Sequence, residues 1–239
     1  MKRNRTDPGH TETDRILRNL HRDVLPMIRQ WGRPENLFAL SPLKASLVII
    51  DMQNFSCVPT KGGAMPRISE VITQINRLAD FCRTVHVPVI WVRQSITTSP
   101  AGTNAGLYPV FHDRSHLESV CNQNKGTEIF SEMHSNPSAD HVVFKNRYSA
   151  FLSNPPELRE KLDFLKKTQL IVAGIAANVC VESTVRDAMQ LDYEVVLVSD
   201  GITTFDKTLL ESTLKNTMLF FGDVRTTEEV MEALRENVS

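Results

Sequence analysis

Apolar residues along this chain alternate between two rhythms. Short unbroken runs, SLVIID (46–51), PVIWVR (88–93), HVVF (141–144), TQLIVAG (168–174) and VVLVSD (195–200), are rich in β-branched residues. They predict strands buried on both faces. Between them the spacing turns helical. In 68–85, Ile68, Val71, Ile72, Ile75, Leu78, Ala79, Cys82 and Val85 fall on one stripe. In 156–167, Leu158, Leu162 and Leu165 share a face behind Pro156. Further helices are predicted over 179–191, 207–218 and 226–237, and a short sixth strand at LFFGDV (219–224). This alternation predicts the α/β class: a three-layer α/β/α domain around a doubly wound, mainly parallel six-stranded sheet of Rossmann-like type, with right-handed crossovers.

Two regions stand outside the rhythm. Residues 11–31 carry Ile16, Leu17, Leu20, Val24, Leu25 and Ile28 at helical spacing, with Pro26 expected to kink the helix. This extra N-terminal helix divides the chain into a helical extension, 1–45, and a catalytic-type domain, 46–239. Its apolar stripe has two possible covers, its own domain or a neighbouring subunit. The second region, 94–140, is long and rich in Ser, Thr, Asn, Gly and Pro. Loops of that length inside compact domains often build active-site walls or lids.

Composition narrows the classes. The chain has 239 residues, 41% of them hydrophobic, enough for one large core. Its 27 basic and 28 acidic residues leave a net charge of -1. That balance gives no reason to expect a nucleic acid or an anionic membrane as partner. No apolar run approaches the roughly 18 residues of a membrane span. The start, MKRNRTDPGHTETDR, lacks the apolar middle of a secretory signal, so the expected location is the cytoplasm. Cys57, Cys82, Cys121 and Cys180 form no CxxC pair and read as free thiols.

In an open parallel sheet, ligands bind beyond the carboxyl ends of the strands. That edge holds Asp51, Arg93, Gln94, Lys145, Cys180 and Asp200. If Asn178 caps the following helix, Cys180 lies in its first turn, where free N–H groups and the helix dipole stabilise a thiolate. The plainer reading is a small core residue. Asp51 and Lys145 are singly readable as a turn cap and a surface lysine. Together, an acid, a base and a thiol on one sheet edge suit acyl transfer. His112 and His116 are four apart, but no third ligand is apparent and no metal is expected there.

Three segments, LVIIDMQN, VVFKNRYSAF and GIAANVCVESTVRDAM, occur in this order. Through them the chain from about residue 46 onward resembles the isochorismatase-like cysteine hydrolases, the N-carbamoylsarcosine amidohydrolase-related family. The resemblance implies an Asp51–Lys145–Cys180 triad that cleaves a C–N bond through a thioester. It also implies an oxyanion hole from the Ala176 and Cys180 N–H groups and a cis peptide at Ile175–Ala176. Nicotinamidases of the family carry DxHxxxH after the first strand. Here CVPTKGGAMPRIS holds no histidine, which argues against a metal and against nicotinamide. Cysteine, where vinyl-ether-cleaving members have Gly or Ala, argues for C–N cleavage. The NRYSAF and NVCVEST pieces look closest to the ureidoacrylate amidohydrolase and the biuret and triuret hydrolase branches.

The expected function is therefore an amidohydrolase of a small ureido or carboxamide compound, releasing ammonia or an amine, with no cofactor. Its alternatives are a non-catalytic binding protein and a thiol hydrolase of another acyl group. Asn54, Phe55, Gln94 and Tyr148 are candidate substrate contacts, and Arg93 or Arg114 a candidate carboxylate ligand. Trp91 and Phe151 serve as pocket wall or as core. Cys57 reads as a bystander thiol. A homodimer or homotetramer is expected.

Overall fold

The computed structural model describes residues 12–59, 65–99 and 102–237. Position 11 of the expected N-terminal helix, the polar start, and part of the histidine-free segment lie outside the described residues. Six strands form one sheet: β1 (Ala45–Ile50), β2 (Val89–Gln94), β3 (His141–Lys145), β4 (Gln169–Gly174), β5 (Glu194–Ile202) and β6 (Asp223–Arg225). Their order is β3-β2-β1-β4-β5-β6, and all five pairings are parallel. The direction of winding reverses between β1 and β4, which opens a crevice beyond their carboxyl ends.

The unbroken apolar runs follow from this layering. Val48 and Ile50 of β1, with Leu170 and Val172 of β4, face α1 (Glu12–Gln30), α3 (Glu157–Leu165), α4 (Glu182–Gln190) and α5 (Lys207–Asn216). Their neighbours Leu47, Ile49, Ile171 and Ala173 face α2 (Ile68–Thr84) and α6 (Thr227–Glu236). Both faces are covered, so both alternate sets must be apolar.

Helix α1 runs through Pro26 as one helix. Ile16, Leu20, Val24 and Ile28 are buried in the first of these cores, so its stripe packs on its own domain. The expected strand at 219–224 is a correction. Residues Thr217–Phe221 continue α5 as a wide π-type turn, and β6 begins only at Asp223. The cause is Gly222, where any side chain would meet the Val195 carbonyl oxygen at 2.3 Å. The Asp223 carboxylate then accepts the Leu37 and Phe38 N–H groups, tying in the segment ahead of β1. Among the described residues, no helix is long and apolar enough to cross a membrane.

Candidate active site

The site grows from three strand ends. Asp51 follows β1 with φ of 53°, a left-handed conformation that aspartate tolerates better than most residues. Its N–H bonds the Val92 carbonyl, and its own carbonyl accepts from the Gln53 N–H and the Ser56 hydroxyl. The chain therefore turns sharply and leaves the carboxylate at the sheet edge. The neighbouring strand comes very close here. A Cβ on Gly174, whose φ is 119°, would stand 2.1 Å from the Ile50 carbonyl oxygen. Only glycine fits that approach.

Lys145 ends β3, with β2 lying between it and β1. Two strand spacings amount to roughly 9.6 Å, a gap that the lysine stem and the Asp51 side chain bridge together from opposite sides. Its ammonium meets Asp51 Oδ2 at 2.9 Å, Gln94 Oε1 at 2.6 Å, the Arg147 carbonyl at 3.1 Å and Cys180 Sγ at 3.3 Å. Three protons face four acceptors, and the side chain is wholly buried. Burial alone would neutralise this lysine. The Asp51 and Cys180 partners outweigh it and raise its pKa. Burial pushes the Asp51 carboxyl up, against the pull of Lys145. A buried pair of this kind holds only while both partners are present.

Cys180 sits in a π-type turn, Ala177–Val181, that leads into α4. Here the expectation of a cap-stabilised thiolate fails. Asn178 does not cap the helix; its side-chain oxygen accepts from the Thr204 hydroxyl. Cys180 keeps part of its surface open to the cavity, yet burial dominates its titration. Burial first, and then the Asp51 charge, push the thiol pKa up, with Lys145 opposing. Asp51 Oδ1 is buried without a hydrogen-bond partner, a free acceptor beside that thiol. The Ile175–Ala176 peptide is cis. In the turn, the Ala177 N–H bonds Thr203, and those of Val179 and Val181 bond the Ala176 carbonyl. Among the described residues, no backbone bond takes the Ala176 N–H.

A cavity of about 120 Å³ opens onto these groups. Its lining includes Asp51, Cys180 and Ala176 together with the expected Phe55, Gln94 and Tyr148. The Gln94 amide nitrogen is buried and unpartnered, so it offers a donor there. Asn54 is a correction: its side chain turns to the Lys125 carbonyl at 2.8 Å and takes no part in the cavity wall. Arg93 bonds the Thr127 carbonyl and lies over the Phe144 ring, and Arg114 pairs with Glu118 in solvent. Trp91 and Phe151 are core residues, and the Cys57 thiol is pushed up to about 12 by burial outside the cavity lining. Asp200 accepts from the N–H and hydroxyl of Thr227 at the start of α6. A second cavity of about 250 Å³ lies beyond β2 and β3 and reaches neither Asp51 nor Cys180.

Several cavity residues escaped sequence reasoning. Tyr108, His112 and His116 come from the long loop and line the cavity. Nothing marks Tyr108, and the i, i+4 spacing marks the two histidines only as a pair without a third metal ligand. Instead, their Nε2 atoms meet tyrosines: Tyr108 with His116 at 2.6 Å, Tyr148 with His112 at 3.2 Å. Among the described residues, no three His, Cys, Asp or Glu side chains gather as metal donors. Gln53 was also missed. It is fully buried, accepts the Gln94 N–H at 2.7 Å and donates to the carbonyls of Gln94 and Thr127 at 3.1 and 2.7 Å. It fastens the Asp51 turn to the end of β2.

Comparison with known proteins finds the following likenesses. The family model described as the isochorismatase domain matches residues 45–229. Nicotinamidase 3 of Arabidopsis thaliana is 34% identical over 180 residues, covering 74% of this chain and 81% of that protein. Ureidoacrylate amidohydrolase RutB of Methylobacterium radiotolerans is 30% identical over 211 residues, 80% of this chain and 79% of that one. The crystal structure of a cysteine hydrolase from Pseudomonas syringae pv. phaseolicola superposes with a TM-score of 0.73 at 22% identity. It covers 86% of this chain and 99% of that one. At that identity the likeness speaks for the fold.

Proposed function

The chain belongs to the isochorismatase-like hydrolase family, and on that premise we propose that it is a metal-independent cysteine amidohydrolase of a small carboxamide or ureido compound. The observation that carries the reading is the single buried ammonium of Lys145 within hydrogen-bond reach of both the Asp51 carboxylate and the Cys180 sulfur. In this reading the Asp51 carboxylate takes the thiol proton as Cys180 attacks the amide carbon. A C–S bond forms, and the oxyanion is held by the N–H groups of Ala176 and Cys180. Asp51 returns the proton to the leaving nitrogen as the C–N bond breaks. Water, deprotonated by the same carboxylate, then attacks the thioester, and the thiol departs with that proton. Lys145 keeps the Asp51 charge and the developing thiolate side by side throughout.

The test is ammonia release over a panel of biuret, triuret, ureidoacrylate, N-carbamoyl amino acids and nicotinamide. Nicotinamide belongs in the panel because the cavity's rings suit a flat carboxamide as well as a ureide. A Cys180→Ser protein that keeps full turnover overturns the reading. A chelator is expected to leave the rate unchanged, and a loss of rate with chelator overturns the metal independence.

A further inference from the structure

We propose that Tyr108, His112, His116 and Tyr148 form the recognition wall of the site, and that this wall selects a flat, uncharged acyl group. The proposal rests on the preceding reading, in which Cys180 attacks an amide carbon.

The rings form a fixed stack. The Tyr108 and His112 centroids lie 4.2 Å apart, tilted by 31°, and those of His112 and His116 lie 4.2 Å apart, nearly parallel at 18°. The two Tyr–His hydrogen bonds close the stack at its edges. Phe55 meets His116 edge-on at 5.6 Å. Behind the wall, Ile96, Ala105 and Val120 pack with Tyr108 as a small separate core. A surface held this way presents ring faces at low cost in side-chain entropy.

The wall is neutral for independent reasons. Burial holds both imidazoles below their ordinary pKa, and His112 lowers His116 further, since two stacked rings resist a shared charge. Burial raises both phenols, helped by Cys180 and, for Tyr108, by Asp51. Among the described residues lining the cavity, the charged side chain is Asp51, and it is paired with Lys145 behind the lining. Every proton of Lys145 has an acceptor, so none is left for a substrate carboxylate. A buried carboxylate without a partner is costly. A carbonyl, by contrast, finds the unpartnered amide nitrogen of Gln94. The cavity of about 120 Å³ is comparable to the ~150 Å³ apolar cavity that accepts benzene, so it has room for about one flat group.

Fumaramide and fumaramate test this, being equally long and flat and differing by one charge. Each is titrated against iodoacetamide labelling of Cys180, followed by peptide mass spectrometry. Fumaramide is expected to protect at a concentration about tenfold lower than fumaramate does. His112→Ala is expected to raise the protecting concentration of fumaramide about five- to tenfold. Equal protection, stronger protection by fumaramate, protection by neither, or a His112→Ala protein that is protected like the wild type overturns the proposal. The fumaramide-to-fumaramate ratio is read on the wild-type protein and stands if a variant does not fold. Retained ammonia release by Cys180→Ser would instead sink the hydrolytic reading, leaving the wall's preference measurable.

Discussion

The strand-end triad and the loop wall face each other across one cavity but are built in opposite ways. Asp51 and Lys145 hang from the ends of β1 and β3, two positions apart in one parallel sheet whose register fixes them, and Cys180 from the tight turn that follows β4. The wall of Tyr108, His112 and His116 comes from a segment whose regular structure is short turns, held by ring contacts and a small core of its own. The triad is charged and paired; the wall is neutral. The contrast teaches that chemistry and selectivity sit on different supports. Damage to the strands should abolish turnover, whereas damage to the loop should change which amide is accepted.

The largest effect is expected from Cys180→Ser. Turnover should fall by at least about 10³-fold, read as ammonia release, while the fold persists. Next is Lys145→Met, which leaves the Asp51 carboxylate buried without its cation. Urea denaturation should show a loss of about 3–5 kcal/mol, besides the loss of activity. Gly174→Ala attacks the same support through the backbone. With a Cβ 2.1 Å from the Ile50 carbonyl oxygen and a φ of 119°, about 3 kcal/mol of destabilisation is expected by thermal melting.

The wall should respond to acid. Burial and His112 lower the His116 pKa from an ordinary 6.5 to about 4, with Asp113 opposing, while Tyr108 and Phe55 face the ring. The unfolded chain takes up this proton as pH falls through about 6.5, and the folded ring does not until about 4. Stability attached to the neutral ring is therefore complete above 6.5 and declines as pH falls across that window. KM for a flat amide should stay level over that window and rise only as pH nears about 4, where the folded ring takes up its proton, and His116→Phe should flatten that rise. The smallest effect is Asn54→Ala. It loses one exposed bond to the Lys125 carbonyl, so turnover should stay within about twofold of wild type in a steady-state assay.

Much of the triad side was legible in the residues. Apolar runs ending in Asp51 and Lys145 mark strand ends, because a strand buried on both faces admits no charge until it leaves the sheet. The N-terminal stripe Ile16, Leu20, Val24 and Ile28 declared a buried face but not its cover. The expected sixth strand failed because apolar content at 219–221 resembles a strand, while the backbone contact at Gly222 decides where the sheet is joined. Gln53 looked like an ordinary polar residue after Asp51, since its three bonds reach carbonyl and N–H groups 41 and 74 positions away.

By itself, then, the sequence determined the layered α/β fold and the acid, base and thiol at its strand ends, because hydrophobic period and strand termini are local properties. Only the tertiary structure decided which way the Cys180 thiol is shifted, since burial and the Asp51 charge push its pKa up against Lys145. It also turned Asn54 away from the cavity and stacked Tyr108, His112 and His116 across from Cys180. A titration depends on every charge and every dry surface around it, and a loop wall on partners distant in the chain, so neither is written in any short stretch of residues.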